Sequence, residues 1–120
     1  MLDSKRSSCP VACTLDLLGD KWTLLVVRDL LLGRHTYKAM QNSPERIPSN
    51  ILADRLKRLE REGVVRKVLY QERPPRYHYH LTEKGLDLGP VLHAILSWGS
   101  TYVPGTMSKE EVEALLKNNE

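Results

Sequence analysis

Two groups of side chains in this sequence have types and spacings that could do chemistry. The larger runs through residues 49–76. Ser49, Asn50, Ala53, Asp54, Lys57, Arg58 and Arg61 gather on one side of a helix drawn over 48–62, and Arg73 and Arg76 follow downstream. Short hydrogen-bonding groups come first and long cations later. That order suits a helix laid against duplex DNA, with short groups at base edges and cations at phosphates. Asn50 carries the donor and acceptor that pair with adenine N6 and N7, a contact that discriminates by about 1–3 kcal/mol. Ser49 can reach a base edge or a phosphate, while Lys57, Arg58, Arg73 and Arg76 suit phosphates. The plain alternative is a solvated charged face. Asp54 and Arg58 stand four residues apart and can pair, but Lys57 and Arg61 repel at the same spacing, which favours an anionic partner.

The second group is Cys9 and its surroundings. Pro10 can take the first position of a helix, so Cys9 lies at a helix N-terminus. Partial positive charge there lowers a thiol's pKa, and Lys5 and Arg6 push the same way. The chemistry would be reaction of a thiolate with a small oxidant or electrophile; the alternative is an inert, half-buried cysteine. Cys13, one turn on, suits packing, and a Cys9–Cys13 bond would strain helical geometry. The pair lacks the companion Cys or His ligands of a zinc site. His78 and His80 share a strand face with no carboxylate or cysteine beside them. Ser, His and Asp are present without a glycine-flanked nucleophile or a phosphate-cradling loop. No metal, no cofactor and no enzymatic activity are expected.

The elements that must position these groups follow from periodicity. Leu52, Leu56 and Leu59 recur at i, i+4, i+7, with Ile51 widening the stripe, so the helix over 48–62 has one apolar side. Gly63 stops it. Strand-like runs at 64–70 and 76–81 are joined by Gln71-Glu72-Arg73-Pro74-Pro75. Alternation sends Tyr77, Tyr79 and Leu81 to the core and Arg76, His78 and His80 to solvent or DNA. Upstream, Val11, Leu15 and Leu18 keep helical spacing and Gly19 ends the element. Asp20 caps a helix from Lys21 to about Leu32 that is apolar over most of its circumference. Thr36 caps a short helix from Tyr37 to about Gln41, and Asn42-Ser43-Pro44 with Ile47-Pro48 frames the turn that follows. Thr82 caps a long helix to about Ser100, with a kink or restart at Pro90. The fold class is mainly α with a small β-hairpin (α+β), a winged helix-turn-helix. Residues 1–8 form a flexible arm, 9–103 the domain, and 104–120 an acidic tail in which Ser108 caps a helix from Lys109 to Lys117.

Bulk properties agree. A chain of 120 residues, 41% hydrophobic and 28% charged, is one globular domain that buries roughly 65% of its unfolded surface. No apolar run approaches the ~18–20 residues of a membrane span, and residues 1–8 lack the apolar centre of a signal peptide. A cytoplasmic protein with no membrane partner is expected. The net charge is only +3, but residues 45–76 hold nine basic and five acidic side chains, while 108–120 hold two lysines and four glutamates. The positive field sits where phosphates would bind. Val91, Ile95, Trp98 and Tyr102 form one apolar stripe, and Leu88, Leu92 and Leu96 a second. Together they exceed what one small core hides, which implies a second copy of the chain.

Cys9-Pro10-Val11-Ala12, Leu15-Asp16-Leu17-Leu18-Gly19-Asp20-Lys21-Trp22-Thr23 and Arg28-Asp29-Leu30-Leu31-Leu32-Gly33 resemble the opening of the HxlR-type winged helix-turn-helix regulators, relatives of MarR. The resemblance continues through Leu52, Arg55-Leu56, Leu59-Glu60 and Gly63-Val64-Val65. It then runs through Pro74-Pro75-Arg76-Tyr77-His78-Tyr79, Leu81-Thr82-Glu83-Lys84-Gly85 and Trp98-Gly99. It implies a dimeric bacterial transcription regulator, a repressor, bound to a near-palindromic operator with the second helix of the motif in the major groove. It further implies a homodimer interface of the first and last helices: Val11 and Leu15 with Leu92, Ile95, Leu96, Trp98 and Tyr102. Some members of the resembled family sense electrophiles or oxidants at the cysteine corresponding to Cys9. The rival readings are a winged helix that serves protein or RNA partners, and a dimer whose main role is small-molecule binding.

Overall fold

The computed structural model describes residues 6–118. Seven helices and one hairpin follow in the order α1 (Pro10–Leu18), α2 (Thr23–Leu31), α3 (Tyr37–Gln41), α4 (Ser49–Arg61), β1 (Val65–Gln71), β2 (Arg76–Leu81), α5 (Glu83–Leu86), α6 (Gly89–Tyr102) and α7 (Lys109–Asn118). Fold class and motif are those expected. Among the described residues no helix is long and apolar enough to cross a membrane.

The core gathers where α2, α3 and α4 meet. Val26, Val27 and Leu30 of α2, Met40 of α3, Ile47 of the turn and Leu52, Leu56 and Leu59 of α4 are buried, and Leu18, Val64 and Val65 close its edges. Each fully buried leucine contributes roughly 1.5–3 kcal/mol, so the apolar side of α4 is held firmly and its other side is fixed outward.

Local signals place the ends. Thr36 Oγ1 accepts from the Ala39 N–H at 3.1 Å and starts α3. Thr82 Oγ1 accepts from the Gly85 N–H and starts α5. Gly63 leaves α4 at φ +74°, a left-handed conformation that glycine adopts without cost. Two expectations need correction. The second helix starts at Thr23 rather than Lys21, because Asp20 reaches forward to the N–H groups of Trp22 and Thr23 (3.1 and 3.2 Å). The long helix after Thr82 is two helices, α5 and α6. Asp87 and Leu88 separate them, and Gly89 and Pro90 open α6, so the restart holds and the continuous helix does not.

The hairpin is antiparallel, pairing Val65 with Leu81 and Leu69 with Tyr77, with an irregularity between Leu69 and Gln71. Residue 35 extends it: the Tyr79 N–H donates to the His35 carbonyl, and His35 Nδ1–H donates to the Tyr79 carbonyl, both at 2.8 Å. Of the three residues expected inward on β2, Tyr79 and Leu81 pack on the core. Tyr77 is half-buried instead under the Lys67 ammonium, 4.5 Å from its ring centre. Residues 1–5 of the expected arm lie outside the described residues. Arg6 folds back on α1, its guanidinium 2.7 Å from the Asp16 carboxylate.

Candidate nucleic-acid interface

An α-helix such as α4 turns by about 100° per residue. With Leu52, Leu56 and Leu59 turned in, Asn50, Asp54, Lys57 and Arg61 form the row diametrically outside, at i, i+4, i+7, i+11. All four are exposed. Ser49 is exposed and Ala53 half-buried on the flank of that row. The outward surface therefore runs from small polar groups at the N-terminus of α4 to cations at its end. Arg61 completes it; its place in the row follows directly from the spacing.

Arg58 stands apart from this row. It is half-buried, and its Nη2 donates to the Leu17 carbonyl at the end of α1 (3.3 Å). The Asp54–Arg58 pair suggested by spacing does not form; Asp54 bridges to Arg55 instead. Arg55 in turn reaches Asp20, Nε to Oδ2 at 2.9 Å. Burial opposes ionisation of Asp20, but the Thr23 hydroxyl, the Arg55 guanidinium and the Trp22 N–H outweigh it and hold its carboxyl well below the usual range.

The turn that delivers α4 is clamped by a network the sequence reading passed over. Asp29, on the apolar helix α2, is buried with 3% exposure. Its Oδ2 accepts from Ser43 Oγ at 2.5 Å, and its Oδ1 from Arg28 and Arg34 at 2.9 and 2.8 Å. Arg28 also forks onto Glu45 at 2.9 and 2.7 Å. The Glu45 contact raises the Arg28 pKa, and Arg28 lowers that of Glu45. Every charge here is paired, as burial demands. The available signal was a charged pair, Arg28-Asp29, set among the leucines and valines of α2.

On the wing, Arg73 and Arg76 flank the tip and are exposed. Gln71 Nε2 donates to the Pro74 carbonyl at 3.1 Å and closes the turn. His78 and His80, expected toward solvent or DNA, are half-buried in a row of rings. Tyr70 lies 4.2 Å from His78, and His80 4.4 Å from His35, between ring centres. Desolvation, then His35, Arg66 and His78, lower the His80 pKa.

Cys9 is exposed at the start of α1. The N–H groups of Ala12 and Val11 lower its pKa. Arg6, expected to assist, is engaged with Asp16 instead, and Lys5 lies outside the described residues. Val11, Leu15, Ile95, Trp98 and Tyr102 each keep more than half of their surface open, with the Trp98 and Tyr102 rings 5.3 Å apart. Leu96 is half-buried. Leu92, also half-buried, packs with Leu88 against the protomer's own core.

Residues 17–107 match the model of the HxlR-like helix-turn-helix family. The chain belongs to that family. This HxlR-like protein is 35% identical over 94 residues to the uncharacterised HTH-type transcriptional regulator YdeP of Bacillus subtilis, covering 78% of this chain and 73% of YdeP. Its fold is similar to the crystal structure of PA1607 (TM-score 0.74, 41% identity, 86% of this chain and 72% of that one). It is also similar to the redox regulator HypR in its reduced form (TM-score 0.71, 30% identity, 78% and 92%). Membership makes the chain a helix-turn-helix transcriptional regulator that acts on DNA, and not an enzyme.

Proposed function

We propose that this HxlR-like protein is a cytoplasmic homodimer that represses transcription by reading a near-palindromic duplex operator. One α4 enters the major groove at each half-site. Asn50 and Ser49 address base edges, with Ala53 and Asp54 beside them. Lys57, Arg73 and Arg76 meet phosphates, and Arg61 extends the cationic end of the row. The observation that carries this reading is the outward row Asn50–Asp54–Lys57–Arg61, fixed by the buried leucines behind it. The open apolar residues of α1 and α6 (Val11, Leu15, Ile95, Trp98 and Tyr102, with Leu96 at the margin) supply the seam between copies. Leu92 supports that seam from within.

Cys9 adjusts affinity. Its thiolate adds to the electrophilic carbon of a quinone, or is oxidised by a peroxide to the sulfenic acid while the peroxide is reduced to water or alcohol. Its exposure at a helix start favours this, and similarity to a protein described as a redox regulator agrees. The test is selection from a random duplex pool with reduced protein. An inverted repeat with half-sites about one helical turn apart, ~10–10.5 base pairs, supports the reading. Sequences without two-fold symmetry contradict it.

A further inference from the structure

We infer that Arg55 and Arg58 are positioning residues that fasten α4 to the corner between α1 and α2, and thereby set the half-site spacing a dimer accepts. The second half of this statement rests on the dimeric reading proposed above. Arg55 has only 17% of its side chain exposed, and its Nε binds Asp20 Oδ2 at 2.9 Å. The same carboxylate accepts the Trp22 and Thr23 N–H groups and the Thr23 hydroxyl, so one group ties the start of α2 to the middle of α4. Arg58, about 4.5 Å further along the helix axis, donates to the Leu17 carbonyl. That carbonyl lies in the last turn of α1, where backbone acceptors lack helical partners. Two fastenings at different heights on α4, both off its outward row, resist rocking as well as rotation. Helix α1 also carries the open Val11 and Leu15. The path from copy to copy then runs from the seam through α1 and the corner to α4. Lengthening an operator by one base pair moves a half-site by about 3.4 Å and turns it by about 35°, a change a fastened helix cannot follow.

The test uses the full chain. Nitroxide labels at Thr14, exposed on α1, and Glu60, exposed on α4, are introduced in a Cys9→Ser, Cys13→Ser background. The labelled protein is diluted with unlabelled protein. The parent gives a narrow distance distribution, and Arg55→Gln with Arg58→Gln at least doubles its width. Asp20→Asn, which keeps the acceptor for the two N–H groups, widens it part-way. An unchanged width overturns the fastening without reference to DNA. In binding assays the parent loses roughly tenfold affinity when the selected spacing changes by one base pair, and the double variant less than roughly threefold. The slope of affinity against salt stays that of the parent, because neither arginine neutralises a phosphate. A slope reduced by about two, with the spacing preference intact, overturns the inference and makes both arginines phosphate contacts. A parent without a preferred spacing contradicts the dimeric operator reading, while the label distances still decide the fastening.

Discussion

Replacing Trp98 with alanine tests the seam on which the dimer reading depends. Trp98 is 63% exposed, and an aromatic side chain of its class buries about 150–250 Å² when covered. The open part is therefore about 130 Å² per copy, worth about 3 kcal/mol at ~25 cal/mol per Å². A symmetric interface loses the residue twice. If alanine and imperfect closure keep half of that burial, dimerisation weakens by about 3 kcal/mol, roughly 100-fold in Kd. The isolated fold should be indifferent, since the ring packs only against Tyr102 at 5.3 Å among its aromatic neighbours and not on the core. Sedimentation velocity across a concentration series reads the dimer, and circular dichroism with thermal melting reads the fold. A parental dimer Kd in a folded Trp98→Ala variant, or a parent that stays monomeric at micromolar concentration, refutes the reasoning.

Three further outcomes are expected. Gly85→Ala should lower stability by several kcal/mol in chemical denaturation, because a Cβ there would lie 2.3 Å from the Val64 carbonyl oxygen and 2.9 Å from Leu81 Cδ2; a parental midpoint would show that α5 moves aside freely. Asp20→Asn should be less stable than the parent at pH 7, with the gap closing as pH falls below about 4. The parent's depressed carboxyl contributes stability above the unfolded pKa of ~3.9, and that contribution is lost as protons bind; a gap constant from pH 7 to pH 2.5 contradicts the ion pair. Cys9→Ser should retain DNA binding and lose its response to quinones and peroxides, measured as operator release; an unaltered response removes Cys9 from sensing.

Local grammar made much of this molecule legible. The leucine spacing of α4, the caps at Thr36 and Thr82 and the break at Gly63 each depend on a few adjacent residues, and each holds in the structure. The outward row of α4 follows from the same spacing. What escaped was set by partners distant in the chain. Arg58 lies in the charged half of the helix, yet its guanidinium turns to a carbonyl 41 residues earlier. Arg55 pairs with an aspartate 35 residues earlier, and Asp29 receives a serine hydroxyl 14 residues later. Spacing along one helix cannot rank such partners against local ones: Asp54 and Arg58 are spaced to pair, but Leu17 takes Arg58 and Asp54 bridges to its neighbour Arg55. The split between α5 and α6 is a subtler case: Pro90 marks the restart, but the first helix ends three residues earlier, at the Asp87 cap.

The most direct measurement of the central claim compares base preferences of the parent with those of Asn50→Ala and Lys57→Ala, each by selection from the same random duplex pool. If α4 reads the groove as proposed, Asn50→Ala relaxes preference at one position, symmetrically in both half-sites, at a cost of about 1–3 kcal/mol for the preferred base. Lys57→Ala weakens binding to all sequences and lowers the salt slope by about one. An Asn50→Ala profile identical to the parent's at every position would contradict reading by α4.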